Sequence, residues 1–88
     1  MTRADLDDLL NQAEALVLPP EFDEALVGYG ERFHDTFAIY DRDKVLAVLM
    51  RVGGLDREAA AEHFDFNILG GWLGSGTAAF VTLLDADE

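Results

Sequence analysis

The stretch ALVGYGERFHDTFAIYDRDKVLAVLMRV, residues 25–52, decides the fold because a strand pattern changes into a helix pattern along it. Its first half is rich in aromatic and β-branched residues, and a His34–Asp35 turn interrupts it. This pattern predicts a β-hairpin over residues 25–40. Gly28 and Gly30 alternate along the first strand, so one side of that strand is nearly bare and can admit a helix, a bulge or another backbone.

The second half of the stretch predicts a helix over residues 42–52. Asp41 is of a residue type favoured at an N-cap, and the Gly53–Gly54 pair supplies the C-terminal stop. Farther along, Asp56 can cap a third helix, which we predict over residues 57–69. Apolar residues wrap around more than one side of this helix, so we expect it to be buried on two sides.

The ends of the sequence supply one more strand and one more helix. Residues 77–84, TAAFVTLL, follow a run of glycines and have the composition of a strand. Near the amino end, Thr2 and Asp5 have the spacing of a capping box, and apolar residues at helical spacing predict a helix over residues 3–17. The Pro19–Pro20 pair ends this helix.

The predicted elements follow the order α-β-β-α-α-β and fit an α+β fold. We expect a single domain, residues 1–88, with two layers, in which helices pack on a three-stranded sheet. A chain of 88 residues without cysteine must be stabilised by packing or by self-association. A homodimer that covers a sheet edge or the Trp72 region is therefore expected.

The charge of the chain restricts its partners. Eighteen acidic and six basic residues give a net charge of −12. This disfavours direct binding to nucleic acid, which needs clustered Lys and Arg, and it favours a basic protein partner. No apolar segment approaches the length that spans a bilayer, so we expect a cytoplasmic protein with no membrane contact. The acidity either keeps a small protein soluble or mimics nucleic acid.

Four polar residues of the predicted third helix are the candidates for chemistry: Glu62, His63, Asp65 and Asn67. Helical spacing pairs His63 with Asn67 and Glu62 with Asp65. A metal-dependent enzyme that uses His63 with one of these carboxylates is one alternative. A lone helical histidine is more often a partly buried polar residue, so we expect no catalytic residue, metal or cofactor. His63 and Asn67 are interpreted as structural, with the Asn67 amide satisfying backbone groups around the glycine turn.

Trp72 is the residue with the strongest claim to a contact surface. It follows a helix-ending glycine pair, where an aromatic residue is either a core plug or an interface anchor. As an anchor, Trp72 would form an apolar protein-binding patch with Leu73 and Tyr29, rimmed by carboxylates. Both interpretations of Trp72 stay open.

Three motifs in this sequence resemble a family of short uncharacterised proteins found in phages, prophages and bacterial genomes. They are ALVGYG (25–30), IYDRDK (39–44) and EHFDFNILGGWLG (62–74), followed by Thr77 and Phe80. The family tends to carry a proline where this chain has Ala78 and Ala79. The resemblance implies a phage-related setting and no particular activity.

Together these features predict a non-enzymatic, acidic protein-interaction module. An inhibitor that mimics nucleic acid, and so binds a basic host nuclease or defence complex, is the alternative within the binding class.

Overall fold

The chain folds in the predicted order α-β-β-α-α-β into a small α+β domain with a three-stranded sheet. The computed structural model describes residues 1–71, 74 and 76–85. The elements are α1 (Arg3–Gln12), a 3₁₀ turn (Pro20–Ala25), β1 (Leu26–Arg32), β2 (Asp35–Asp41), α2 (Arg42–Gly53), α3 (Arg57–His63), a π-helical segment (Phe64–Leu69) and β3 (Ala79–Val81). No helix in these ranges is long and apolar enough to cross a bilayer.

Strand β2 is the centre of the sheet. It pairs antiparallel with β1 and parallel with β3, so the chain passes through α2 and α3 before it returns to the sheet. The hairpin turn lies at Phe33–His34, one residue before its predicted position, because Asp35 already pairs with Arg32 in the ladder. Strand β3 is shorter than the predicted range of residues 77–84, since only three of its residues pair with β2.

The helices pack on one face of the sheet. Ala38 and Tyr40 are buried there from β2, and Phe80 of β3 packs against them. The ring of Phe64 meets that of Phe80 edge-on, with 4.9 Å between the ring centroids. The buried cluster draws on every helix and on β2; its apolar members are Leu6, Leu10, Phe22, Ala25, Ala38, Tyr40, Val45, Leu46, Val48, Leu49, Ala60 and Phe64.

The predicted N-caps are confirmed at all three α-helices. Thr2 and Asp5 form a capping box at α1, with the Asp5 N–H donating to Thr2 Oγ1 at 3.1 Å and the Thr2 N–H donating to Asp5 Oδ2 at 3.0 Å. The hydrogen bond from the Thr2 N–H to the Asp5 carboxylate lowers the pKa of Asp5, and the Thr2 side chain acts in the same direction. Asp41 and Asp56 accept backbone N–H groups of α2 and α3 at 2.9 and 2.8 Å. Such carboxylates satisfy N–H groups that lack helical partners, and they fix where each helix begins.

Helix α1 ends at Gln12, well before the predicted end at residue 17. Glu14 adopts a left-handed conformation with φ of 56°, and the N–H groups of Glu14 and Ala15 donate back to carbonyls in the last turn of the helix. This is the Schellman arrangement, which glycine usually provides. Because glutamate occupies the position here, the sequence carries no glycine signal, and the chain leaves the helix early.

The third predicted helix, residues 57–69, divides into α3 and the π-helical segment. Wider turns begin at Phe64, and the Gly70 N–H donates to the Asp65 carbonyl five residues earlier, at 3.2 Å. The expectation that this helix is buried on two sides is wrong. Phe64 is fully buried, whereas Phe66 is 82% exposed, because only one side of the segment faces the sheet.

Candidate functional site

A cavity of about 420 Å³ opens between the chain after α1 and the π-helical segment. Its size and its mostly apolar walls are typical of sites that bind a ligand or a partner's side chain. The apolar walls come from Leu16, Leu18, Phe22, Leu49, Ile68 and Phe80, and the polar groups include His63 and Asn67.

Two hydrogen bonds hold the first wall of the cavity in place. The Leu16 N–H donates to the Gly76 carbonyl at 3.0 Å, and the Leu18 N–H donates to the Tyr40 hydroxyl oxygen at 2.9 Å. Tyr40 is 1% exposed, and this burial raises the pKa of its hydroxyl, although the hydrogen bond from Leu18 acts in the opposite direction. The hydrogen bond to Tyr40 therefore connects this wall to β2, the central strand, which is distant from it in sequence.

The opposite wall carries His63 and Asn67, the pair that helical spacing predicts. The Asn67 amide nitrogen donates to the His63 carbonyl at 3.3 Å and lies 3.4 Å from His63 Nδ1. Both side chains are exposed. Asn67 does bind a backbone group, as expected, but that group is the carbonyl one turn earlier and not one in the glycine turn. The pair presents an amide oxygen and an imidazole nitrogen beside an apolar surface, a combination that suits an amphipathic ligand.

Of the two carboxylates beside this pair, Glu62 and Asp65, one is engaged by an arginine. Asp65 forms an ion pair with Arg42 at 3.6 Å, and the same guanidinium lies 5.1 Å from the centroid of the Phe64 ring. Within the described ranges, no group of three or more His, Asp or Glu side chains is arranged to hold a metal ion.

Of the predicted apolar patch of Trp72, Leu73 and Tyr29, the structure describes Tyr29. Trp72 and Leu73 lie outside the described residues. Tyr29 is half-buried on β1 and packs against the core, on the same side of the sheet as Ala38. Tyr29 does not line the 420 Å³ cavity. Because the other two residues of the patch are not described, the patch stays a prediction from sequence.

The chain is strongly acidic despite several ion pairs. Among the described residues, the pairs are Arg3 with Asp7 and Asp23, Arg42 with Asp65, Arg51 with Glu24, and Arg57 with Asp43. The Arg51 guanidinium lowers the pKa of the Glu24 carboxyl. These exposed pairs add little stability, because water screens them. They engage five carboxylates of a chain with eighteen acidic residues, so a strong negative field remains.

The sequence pattern did not predict the apolar walls of the cavity, which include Leu16, Val17 and Leu18. Their apolar spacing continued that of α1, so Leu16 and Val17 fell within the predicted helix. One local signal indicates where the chain leaves the helix. Leu18 precedes Pro19, and a residue before proline avoids the helical region, which favours an extended chain at this point.

In comparisons with known proteins, no family model, no curated protein and no solved structure matches this chain. The site is therefore interpreted from its own geometry.

Proposed function

We propose that this protein is a non-enzymatic interaction module, which binds a protein partner by taking an apolar side chain of that partner into the cavity. The supporting observation is an apolar cavity of about 420 Å³ in the surface of a chain with a net charge of −12. Burial of the apolar anchor provides affinity, because it removes both surfaces from water. The negative field favours partners with basic residues beside the anchor.

The polar groups of the cavity fit a peptide anchor well. Asn67 uses its amide nitrogen towards His63, so its Oδ1 can accept an N–H from the partner's backbone. The wall at Leu18 is fixed by Tyr40, so it need not become ordered on binding. A preformed site of this kind loses less entropy when a partner binds.

The biological setting in this proposal comes from sequence. The resemblance of residues 22–81 to short phage and prophage proteins supports a phage-related module that acts in the bacterial cytoplasm. Mimicry of nucleic acid by the acidic surface is the competing explanation, and it requires no cavity.

A matched pair of variants tests the cavity. Val17 lines it and is 59% exposed, whereas Val52 is 61% exposed at the end of α2 and does not line it. Val17→Asp and Val52→Asp therefore add the same charge at equally exposed positions. We expect affinity capture from host lysate, read by mass spectrometry, to lose its specific partner with Val17→Asp and to keep it with Val52→Asp.

Other outcomes point to the alternatives. A nucleic-acid enzyme that both variants capture equally, and that moderate salt releases, would favour mimicry over the cavity. Stoichiometric metal after purification without chelator, lost in His63→Ala, would favour the metal-dependent enzyme. A parallel capture with a Trp72→Ala, Leu73→Ala double variant tests the patch predicted from sequence.

A further inference from the structure

The face of the sheet opposite the helices is apolar. Because side chains alternate along a strand, the residues that do not face the core lie together on this side. We call it the outer face; its uncharged residues are Gly28, Gly30, Phe37, Ile39, Ala79 and Val81, and the alternation places Asp35 and Asp41 at its two ends. None of the uncharged residues belongs to the buried core or to the partly buried residues around it. No helix of the described part of the chain packs on the outer face.

The outer face has a ridge beside a groove. A Cβ atom built on Gly30 would lie 2.6 Å from the ring of Phe37 and 3.0 Å from Cδ1 of Ile39, so both side chains lean over Gly30. A Cβ atom built on Gly28 would have nothing within 4 Å. Phe37 and Ile39 thus form a ridge, and Gly28 marks a bare strip next to it. A ridge and a groove on one surface provide the self-complementarity that a two-fold interface requires.

The charge distribution favours this face for self-association. The chain carries a net charge of −12, which repels a second copy over most of the surface. The centre of the outer face is uncharged. At the hairpin end, the alternation places Arg32 and its ladder partner Asp35 on this side, so charges of both signs meet there. At the other end, Asp41 is buried as the N-cap of α2.

We propose that two copies of this chain associate through their outer faces, with the Phe37–Ile39 ridge of each copy seated over the Gly28 strip of the other. The interface is isologous and leaves the 420 Å³ cavity on the other side of the sheet free. Because like net charges repel, added salt screens the repulsion and strengthens the dimer. Mimicry of nucleic acid has the opposite salt dependence, since salt weakens attraction between opposite charges.

Sedimentation equilibrium of the full chain over a wide concentration range tests this proposal. We expect the wild-type mass to rise from the 9.7 kDa of the monomer to twice that value, at a lower concentration when salt is added. Gly28→Val fills the strip with a side chain that meets no neighbour within its own chain. This variant should weaken the dimer at least about tenfold, which corresponds to about 1.4 kcal/mol.

The folded state of the variants is controlled independently. Valine favours strands, so dilute Gly28→Val should melt at or above the wild-type temperature. Ile39→Glu, which charges the ridge, should also be monomeric, and Val52→Glu should dimerise like the wild type. A wild type that stays monomeric at all concentrations and at both salt levels would overturn the proposal. So would a dimer that survives both Gly28→Val and Ile39→Glu.

Discussion

The two faces of the sheet differ in what lies against them, although the same three strands build both. The inner face presents Ala38, Tyr40 and Phe80 to the helices, with 6.0 Å between the ring centroids of Tyr40 and Phe80. The outer face presents Phe37 and Ile39, which are half-buried and lean over Gly30 of the neighbouring strand β1. The inner face therefore stabilises the fold, whereas no described helix packs on the outer face.

This difference shows what alternation along a strand determines and what it leaves open. The alternation decides which side chains share a face, and both faces of β2 are apolar. The helices pack on the side of the sheet that carries Ala38 and Tyr40. The two glycines of β1, Gly28 and Gly30, lie on the other side. Two glycines in one strand thus mark the face that no described helix covers.

Removal of a large side chain above the inner face should have the largest effect. Phe64 is fully buried and packs edge-on against Phe80, so Phe64→Ala should lower the free energy of unfolding by about 3–5 kcal/mol. Phe66→Ala, two residues away and 82% exposed in the wild type, should change it by less than about 0.5 kcal/mol. Urea unfolding followed by circular dichroism measures both. Equal losses would contradict the one-sided burial of this segment.

The tether between the inner face and the cavity wall should have an intermediate effect. Tyr40→Phe leaves the Leu18 N–H without its acceptor and should lower the free energy of unfolding by about 1–2 kcal/mol. Tyr29→Phe is the matched control, since the half-buried Tyr29 has no hydroxyl hydrogen bond among the described residues. Loss of stability in both variants alike would mean that the hydrogen bond to Leu18 is not the cause.

The same hydroxyl predicts a response to alkaline pH. Burial raises the pKa of Tyr40 above its ordinary value of 10.0. Above pH 10 the unfolded chain releases a proton that the folded chain retains, so unfolding becomes more favourable. The contribution of Tyr40 to stability is therefore complete below pH 10 and is lost as the pH rises through the folded-state pKa. Urea midpoints across this range should fall less steeply in Tyr40→Phe than in the wild type.

The sequence predicts the order of elements and the helix starts because those depend on local signals. Asp41 and Asp56 cap their helices through contacts within three residues. The early end of α1 combines local bonds at Glu14 and Ala15, which no glycine signals, with distant bonds from the Leu16 and Leu18 N–H groups to Gly76 and Tyr40. The proline after Leu18 indicates an extended residue there, but no local pattern encodes the distant partners, so the boundary predicted at residue 17 was wrong.

The same distinction explains what could be predicted of the site. His63 and Asn67 are four residues apart on one helix, and spacing alone pairs them. The cavity beside them requires the extended chain at residues 16–18 and the wider turns that begin at Phe64. Both features arise only when the elements pack together. The sequence therefore predicts the polar pair but not the apolar walls of the cavity.

A single methyl group at two positions of the outer face should give the smallest effects and the finest test of the ridge and the groove. Gly30→Ala places a Cβ 2.6 Å from the Phe37 ring and should displace the ring. We expect this variant to lower the free energy of unfolding by about 1 kcal/mol. This is near the lower limit for overpacking, because Phe37 is only half-buried. Gly28→Ala meets no atom within 4 Å and should be neutral or stabilise the fold by up to about 1 kcal/mol, because alanine restricts the unfolded chain.

Urea unfolding of both alanine variants at low protein concentration removes any contribution from a dimer. Chemical shifts of the Phe37 ring then report its displacement directly, and they should move in Gly30→Ala far more than in Gly28→Ala. Equal stability and unmoved ring signals in both variants would mean that Phe37 does not lie over Gly30. The outer face would then have no ridge, and the two-fold fit with a second copy would lose its physical basis.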